Sequence, residues 1–532
     1  MKKLCERGKN FILKNWSLIW FVGCVIVLGL FMIKHIDALL DSDMSSEMLL
    51  AKILSEENRV VTQSWFYSTE LRVLNTQLIM APLFKICDNW YVVRIVGSFI
   101  LYILLLLSYY YFCRQITAQK AFVLSAAVLF LPFSKDYTEI VLYGLYYIPH
   151  IVISLAMFGM IFQWINSTKI YARVILAVFM ALISIMAGMG GLRQLLIFYI
   201  PIVCTAIILL FIACKQDEKI YDVRIGFLKI TLFSSVLAGA GYCINSKILY
   251  TKYFFHSYEE IQFTDLQFDR IFSAIAGFLR SFGYQRGEEI FSYAIISNGI
   301  SVILLVLCIY CVWKILKRQI EINKEIYIVT LYFVIALIVF IGLYALTNTG
   351  YESRYNLPII IFAVPIVAYC LQIWGEKKKE YSYACIILAF IMTVATIFNY
   401  EMYSSLDKTK EMKKVADFLV QKEYFEGYSM FWKSNVLVEL SNGEIEVWTL
   451  GDENGINGDS VELDEIYRWL QPARHVDAKP KGKVFILLTP YESESYAITQ
   501  CFEKTDVIYE SDDYLVFGFE NYEQLQEKIN NR

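Results

Sequence analysis

Charged side chains are scarce in this chain. Of its 532 residues only 19% are Asp, Glu, Lys or Arg, whereas 57% are hydrophobic. Soluble domains carry about 25% charged and about 45–50% apolar residues. The net charge is only −3, so no excess of basic residues points to a nucleic-acid partner. The composition therefore excludes an ordinary soluble domain and predicts no nucleic-acid partner.

Familiar catalytic and metal-binding motifs are missing from the polar region that follows residue 400. This region holds only Cys501, so it cannot contain a disulfide framework. It has no glycine-rich phosphate loop, no metal-spaced set of Cys and His, and no nucleophile elbow. No inverted repeat of the transporter kind is visible in the chain as a whole. A reaction centre is therefore expected in the part of the chain before residue 400.

The hydrophobic residues are gathered into blocks of roughly 20, the length that crosses about 30 Å of hydrocarbon. We therefore predict a polytopic α-helical membrane protein with about eleven transmembrane helices. Residues 71–87 are apolar but contain Arg72 and Lys85, which favours a helix lying along the interface or dipping in and returning. The block 121–134 is short for a span. The predicted spans are 16–36, 92–112, 121–134, 146–165, 173–189, 192–213, 225–244, 291–313, 326–346, 357–374 and 383–400.

Lysines and arginines alternate between successive loops, and this alternation predicts the orientation in the cell membrane. The N-terminal tail carries Lys2, Lys3, Arg7, Lys9 and Lys14, so the N-terminus is predicted to be cytoplasmic. An odd number of spans then places residues 401–532 outside the cytoplasm. The transmembrane domain is predicted to cover residues 1–400, with a first outer loop at 37–91 and a long outer loop at 245–290.

Residues 401–532 mix helical and strand-like patterns, which predicts a small extracytoplasmic α/β domain. We interpret it as a recognition or stability module. The predicted helices are 406–421, 463–470, 491–500 and 520–529. The predicted strands are 443–447, 484–488, 506–509 and 514–519.

Two aspartates, Asp41 and Asp43, lie just after the first span and before an amphipathic helix. A carboxylate at the membrane surface can act as a general base for an incoming hydroxyl or amine. The structural alternative is that Asp43 caps the helix that begins at Met44, with Glu47 in support. Both readings stay open from the residues alone.

Several arginines are predicted to lie on the same outer side. Arg193 follows the glycine turn "GMGG", Arg354 lies in "TNTGYESRYNLP", and Arg280 lies in the long outer loop. Arginine offers a planar and always charged fork for phosphate oxygens. Together with a nearby carboxylate, this set is typical of group transfer from a lipid-phosphate donor. Aromatic residues such as Tyr67 would line the path of the sugar.

The order of these motifs resembles the C-type (GT-C) polyprenyl-phosphate-dependent glycosyltransferases, especially the branch of protein O-mannosyltransferases and lipid A aminoarabinose transferases. The resemblance rests on the aspartates with "EMLLAKIL" at 47–54, on "WFYSTELRVL" at 65–74, on Arg94 in "NWYVVRIVG", and on "ESRYNLP" at 352–358. Two departures are visible. The family's adjacent Asp-Glu pair is Asp41-Ser42-Asp43 here, and the lysine of its "EKP" motif is replaced by Leu71, with Arg72 next to it.

The resemblance implies an integral-membrane glycosyltransferase that moves a sugar from a polyprenyl-phosphate donor to an extracytoplasmic glycan, lipid or protein acceptor, among membrane lipids. The implied catalytic base is Asp43 or Asp41. The implied ligands of the lipid phosphate are Arg354, Arg193 and Arg280. The implied substrate-binding residues are Glu70, Tyr67, Arg72, Asp136, Glu139 and Tyr355.

Two alternatives remain. No metal site is predicted and no cofactor is assigned, but Asp136 or Glu139 could steer a divalent cation instead of the acceptor. The chain could also be a non-catalytic or transport protein of cell-envelope polysaccharide assembly. The predicted spans are nearly free of charge, which counts against transport, because a transport path needs polar groups in mid-span.

Overall fold

The computed structural model describes residues 2–69, 71, 73–116, 119–213, 218–255, 261–287, 289, 291–292, 294–320, 322–451, 466–495 and 497–530. They form two compact units. The first comprises Met1–Lys34, Phe99–Asn245 and Glu259–Ser405. The second comprises His35–Ser98, Ser246–Tyr258 and Leu406–Arg532.

The first unit is helical. Two of its helices, α1 and α4, begin or end in the second unit. Its helices are α1 (Lys2–His35), α4 (Trp90–Ile116), α5 (Gln119–Val128), α6 (Ile148–Asn166), α7 (Ile170–Met189), α8 (Leu192–Gln194), α9 (Ile200–Ala213), α10 (Glu218–Cys243), α11 (Phe268–Ser281), α12 (Ala294–Leu316), α13 (Lys324–Leu346), α14 (Leu357–Ile360), α15 (Ala363–Lys377) and α16 (Lys379–Ser405).

Nine segments in the described residues are helical, long and apolar enough to cross a membrane, and each coincides with a predicted span. The chain is therefore a multi-pass membrane protein. Of the two remaining predicted spans, 383–400 lies within the 27-residue helix α16. In the other, 121–134, the 10-residue helix α5 ends at Val128. A helix of that length is about 15 Å long, half of what a span requires.

The ambiguous segment 71–87 does not form a spanning helix. Its helix, α3, runs only over Gln77–Phe84, which is eight residues. Pro82 lies inside it, and the helix ends before Lys85. The segment is therefore too short to span, as predicted, since a span needs about 20 residues. That it lies along the interface or dips in and returns stays a prediction.

The second unit contains a five-stranded mixed sheet. Its strands are β3 (Glu426–Met430), β4 (Glu446–Leu450), β5 (Val484–Leu488), β6 (Val507–Glu510) and β7 (Leu515–Phe519). The strand order is β4-β3-β5-β7-β6. Strand β3 is parallel to both β4 and β5, whereas β7 is antiparallel to β5 and β6. The helices of the C-terminal region are α17 (Lys410–Gln421), α18 (Phe431–Leu440), α19 (Pro490–Ser495) and α20 (Tyr522–Asn530).

The predicted α/β class of the C-terminal region is confirmed, but parts of its layout were wrong. The predicted helix 463–470 is not helical over 466–470, where Ile466 pairs with Leu450 as an isolated bridge. The rest of that segment lies outside the described residues. Strand β3 and helix α18 were not predicted. Strand β3 reads "EGYSM", without a β-branched residue, and α18 ends in "VLVEL", which has the composition of a strand.

The two faces of the sheet are covered differently. On one face Tyr428, Ile486 and Phe517 pack with Leu525 and Ile529 of α20 in a buried apolar cluster. Toward α18 the contacts include hydroxyl groups, and Thr449 Oγ1 donates to Ser434 Oγ at 2.9 Å. Helix α18 is thus held by both polar and apolar contacts.

The first outer loop belongs to the same unit as the sheet. Its helix α2 (Ser42–Glu57) is buried along most of its length. Further along the loop, the Phe66 N–H donates to the Gln471 carbonyl at 2.9 Å, and the Leu470 N–H donates to the Phe66 carbonyl at 2.9 Å. Strand-like pairing thus joins segments about 400 positions apart in sequence. The prediction treated the C-terminal region as a separately tethered module, and this joining was not predicted.

A buried ion pair connects α2, α4 and α18. Arg94 of α4 is 3% exposed and Glu439 of α18 is 5% exposed. The guanidinium donates to both carboxylate oxygens, with Nη2 at 2.7 Å from Oε2. The same Nη2 donates to the Met44 carbonyl of α2 at 3.1 Å. A planar guanidinium is suited to such bidentate binding, and all three elements are fixed by one side chain.

Replacing Arg94 should therefore be strongly destabilising. In Arg94→Met the Glu439 carboxylate stays buried without its partner, which typically costs ~3–5 kcal/mol. We expect a clearly lower midpoint of thermal denaturation for the purified protein in detergent. The double variant Arg94→Met/Glu439→Leu should recover most of the loss, since no buried charge remains.

The control is Asp88→Asn, which breaks the exposed ion pair of Asp88 with Lys52. Exposed pairs contribute little, so its denaturation midpoint should equal that of the wild type. Equal midpoints for Arg94→Met and the wild type would contradict the structural role of the pair.

Candidate functional site

Asp41 is the N-cap of α2. Its carboxylate accepts a hydrogen bond from the Met44 N–H at 2.8 Å, and its backbone is extended. The helix begins at Ser42, two residues earlier than predicted, so Asp41 and not Asp43 takes the capping position. Glu47 does not support the cap. It is buried and accepts from Thr76 Oγ1 at 2.8 Å.

The Asp41 carboxyl titrates close to neutrality. Its pKa is raised from 3.8 to about 6, chiefly by burial, and the neighbouring negative charge of Asp43 acts in the same direction. The Met44 N–H and the positive charges of Arg94 and Lys408 act in the opposite direction but do not outweigh burial. A carboxyl that is half protonated near pH 6 can accept a proton from a substrate at neutral pH.

Asp43 lies in the first turn of α2, where its backbone carbonyl accepts from Ser46 Oγ at 2.7 Å. The side chain is partly exposed. The two predicted bases therefore lie close together at the start of one helix but occupy different positions in it. Asp41 is the N-cap, whereas Asp43 lies in the first turn of the helix.

Tyr67 is buried in an aromatic cluster of the second unit. It lies on β1 (Phe66–Tyr67), which pairs in parallel with β2 (Phe254–Phe255). Its ring lies 6.2 Å from that of Tyr253, and its hydroxyl accepts from the Thr62 N–H at 3.1 Å. Burial raises the pKa of its hydroxyl. The predicted substrate residues Glu70 and Arg72 lie outside the described residues.

In the first unit, Arg193 and Arg354 lie against one tyrosine ring. The guanidinium carbon of Arg193 is 5.8 Å from the ring centre of Tyr355, and that of Arg354 is 5.7 Å from the same centre. Arg193 also lies 5.1 Å from the ring of Tyr147. Two of the three predicted phosphate ligands are therefore brought together. Glu352 approaches Arg354 to only 4.0 Å, and both side chains are at least one-third exposed.

The glycine turn before Arg193 has the predicted function of turning the chain into a helix. Gly191 adopts φ 88° and ψ −165°, a backbone conformation that side chains with a Cβ rarely adopt. Helix α8 follows and continues as a π-helical turn, Leu195–Tyr199. Gln194 is anchored below it by Nε2 donating to Ser154 Oγ at 3.0 Å. Such π turns inside helices are frequent at functional sites.

Tyr351 connects the arginine pair to two further candidates. Its ring lies 4.9 Å from that of Tyr344, which in turn stacks on Tyr355 at 6.4 Å. Burial raises the pKa of the Tyr351 hydroxyl to about 12, the charge of Asp136 adds to this, and the charge of Arg280 opposes it. Asp136 and Arg280 therefore lie in the electrostatic neighbourhood of Tyr351, and Arg280 is exposed at the end of α11.

Asp136 has an unusual environment. Within the described part of the chain its Oδ2 atom is buried and makes no hydrogen bond. Polar atoms in this state are uncommon and call for a ligand or a functional explanation. Glu139 follows in the π-helical turn Tyr137–Tyr143 and is partly exposed. Among the described residues, no group of three or more His, Cys, Asp or Glu side chains is placed to hold a metal ion.

An apolar cavity of the first unit lies beside these residues. Its lining includes Phe133 and Phe282, which are close in sequence to Asp136 and Arg280. The rest of the lining is almost entirely aliphatic or aromatic: Trp20, Leu124, Ser125, Val128, Leu304, Ile360, Ala363, Val364, Val367, Ala368, Leu371, Cys385, Leu388, Ala389 and Met392. Such a cavity suits a hydrocarbon chain.

The fold is that of the GT-C membrane glycosyltransferases, as solved structures of such enzymes show. The chain is similar to ArnT from Cupriavidus metallidurans bound to undecaprenyl phosphate, with a TM-score of 0.56, 10% identity, and coverage of 95% of this chain and 98% of that one. The apo state of that protein gives a TM-score of 0.57, 11% identity and the same coverage.

An oligosaccharyltransferase from Archaeoglobus fulgidus, tethered to an acceptor peptide, is similar over 84% of this chain and 65% of its own, with a TM-score of 0.50 and 13% identity. The predicted GT-C-like fold is thereby confirmed. No protein-family model matches the sequence, and no curated protein sequence matches it.

The raised pKa of Asp41 has a consequence for stability that can be measured. A folded-state pKa above the unfolded value means that the charged form is disfavoured in the folded protein, so stability falls as the pH rises from about 4 to about 6. Asparagine also caps helices but does not ionise. At pH 8 the Asp41→Asn variant should therefore have a free energy of unfolding up to ~3 kcal/mol larger than that of the wild type, and it should denature at a higher temperature. Both differences should shrink toward pH 4.

Asp88→Asn serves as the control, because the Asp88 side chain is 90% exposed. Its difference from the wild type should not change between pH 4 and pH 8. An Asp41→Asn variant that is less stable than the wild type at pH 8 would contradict the burial of the charge.

Proposed function

We propose that this protein is an integral-membrane glycosyltransferase that moves a sugar from a polyprenyl-phosphate donor to a glycan, lipid or protein acceptor outside the cytoplasm. The observation that carries the proposal is the pair Arg193 and Arg354 on the ring of Tyr355. It occurs in a chain whose fold matches, over 95% of its length, a structure bound to undecaprenyl phosphate. The predicted topology, with a cytoplasmic N-terminus, belongs to the same proposal.

Phosphate binding is assigned to Arg193 and Arg354, with Arg280 in support. Ring contacts engage the faces of the two guanidinium groups, and the edge of a guanidinium group is suited to bind phosphate oxygens. The apolar cavity near Asp136 and Arg280 offers a place for the hydrocarbon of the donor. The leaving group is the polyprenyl phosphate, whose growing negative charge the arginines would stabilise.

The proton transfer is assigned to the aspartates at the start of α2. As the acceptor oxygen or nitrogen attacks the anomeric carbon, its proton passes to a carboxylate, and the bond from that carbon to the phosphate oxygen breaks. We assign the base to Asp43 and a supporting role to Asp41, because the Asp41 carboxylate is already bound to the Met44 N–H. Tyr355, Asp136 and Glu139 are proposed to bind substrate, and Asp136 or Glu139 could steer a divalent cation. Substrate binding by Tyr67, Glu70 and Arg72 stays a prediction.

Removing the base should remove most of the transfer. We expect Asp43→Asn to lower the rate by about 10²-fold or more, and Asp41→Asn to have a smaller effect. The measurement is release of polyprenyl phosphate from lipid-linked sugars, extracted from the native membrane and followed by mass spectrometry.

Asp88→Asn, in the same outer loop, is the matched control and should keep the wild-type rate. Full activity in both single variants and in the double variant would refute the assignment of the base.

Replacing Arg193 or Arg354 should weaken binding of the lipid donor without changing the stability of the fold. Arg193→Gln and Arg354→Gln should each raise the KM for the lipid donor by about tenfold and reduce the polyprenyl phosphate that copurifies with the protein. The lysine variants should recover only part of this, because an ammonium group lacks the fork of guanidinium.

The matched control is Arg173→Gln, which removes another arginine that lies over an aromatic ring, that of Trp164 at 5.2 Å. Its KM should equal that of the wild type. Unchanged KM and unchanged copurified lipid in both site variants would refute the phosphate-binding role.

A further inference from the structure

The C-terminal sheet contains a topological switch point between β3 and β5. From strand β3 the chain passes through α18 to β4 on one side, and β5 then lies on the other side of β3. Because β3 and β5 are parallel, with Ser429 paired to Leu487, both end at the same edge. In open α/β sheets, ligands bind in the crevice outside the carboxyl ends of such strands.

The residues at this edge are held in place by a charged pair. Lys433 of α18 forms an ion pair with Glu492 of α19, and both side chains are largely buried. Glu492 also accepts from the Thr489 N–H at 2.7 Å, so it closes the start of α19. The first turns of the two helices are therefore fixed to each other.

Two exposed aromatic side chains adjoin this pair. Trp432, next to Lys433, is 59% exposed, and Tyr491, next to Glu492, is 73% exposed. Tyr514, at the start of β7, is close enough to Glu492 for its negative charge to raise the pKa of the tyrosine hydroxyl, although burial and Asp513 contribute more. Large aromatic rings exposed beside a fixed polar pair are typical of a recognition surface.

The same edge is continuous with the acidic start of α2. Ser42, between the two aspartates, donates from Oγ to the Phe431 carbonyl, and its own carbonyl accepts from Asn435 Nδ2 at 3.4 Å. Phe431 is the residue before Trp432. The proposed base and the exposed indole are thus attached to one turn of α18.

We propose that Trp432 and Tyr491 form a platform on which a saccharide acceptor stacks before transfer. The axial C–H groups on one face of a pyranose carry partial positive charge, and an aromatic ring presents a negative face to them. That the bound saccharide is the acceptor rests on the proposed function, because the platform lies next to the proposed base residues. Binding of the saccharide itself does not depend on catalysis.

The test measures saccharide binding by the full-length protein in nanodiscs, without a donor. The probes are maltotetraose, chitotetraose and α-1,6-mannotetraose, and the signal is the emission of Trp432, taken as wild type minus Trp432→Phe. We expect a saturable change with at least one probe. Tyr491→Ala should weaken that binding by about fivefold or more.

The matched control is Phe425→Ala, because Phe425 is also exposed (43%) but precedes β3 at the opposite edge of the sheet. It should bind as the wild type does. The variant Asp41→Asn/Asp43→Asn should lose transfer but still bind normally. Retained transfer with intact binding would refute the base and leave the platform standing.

Two results would overturn the platform. One is the absence of any saturable change with all three probes up to about 50 mM, far above the millimolar dissociation constants of weak binding. The other is quenching of the Trp432 signal by brominated lipids in the nanodisc without a response to the saccharides, which would assign the rings to the membrane surface. Either result leaves the glycosyltransferase proposal intact if transfer is measured.

Discussion

The buried pair of Arg94 and Glu439 is the constraint on which the second unit depends. One guanidinium satisfies the Glu439 carboxylate and the Met44 carbonyl, so α4, α18 and the first turn of α2 share a fixed geometry. Desolvating two charges is costly and is offset only when the geometry is bidentate and the remaining donors are used. The pair therefore contributes specificity, since any displacement of α2 along α18 would leave a buried charge uncompensated.

This constraint explains the properties of the acidic segment. With α2 held against α18, Asp41 is removed from water, and the loss of hydration raises its pKa despite the positive charge of Arg94 nearby. A free loop would leave the two aspartates hydrated, with ordinary acidity. The C-terminal domain is thus part of what sets the pKa of Asp41, the neighbour of the proposed base, in addition to any role it has in recognition.

The sequence predicted those elements whose structure depends on neighbouring residues along the chain. Apolar length alone located the spans, because a helix in hydrocarbon must be long and nearly uncharged, and the buried strand "VFILL" at 484–488 was predicted with its observed bounds. Local pattern failed at β3, which has no β-branched residue, and at α18, whose apolar run resembles a strand. It also could not pair Arg94 with Glu439, since nothing in either segment indicates contact with a residue 345 positions away.

The arginine candidates differ from Arg94 in the kind of neighbour that holds them. Arg94 is neutralised by a buried carboxylate and has little charge left for a ligand. Arg193 and Arg354 lie instead on the ring of Tyr355. A ring holds a guanidinium by attraction to its face and does not neutralise it, and Glu352, at 4.0 Å and more than half exposed, is screened by water. The contacts with aromatic rings support the proposed phosphate-binding role of Arg193 and Arg354. Arg94, paired with a buried carboxylate, has a structural role instead.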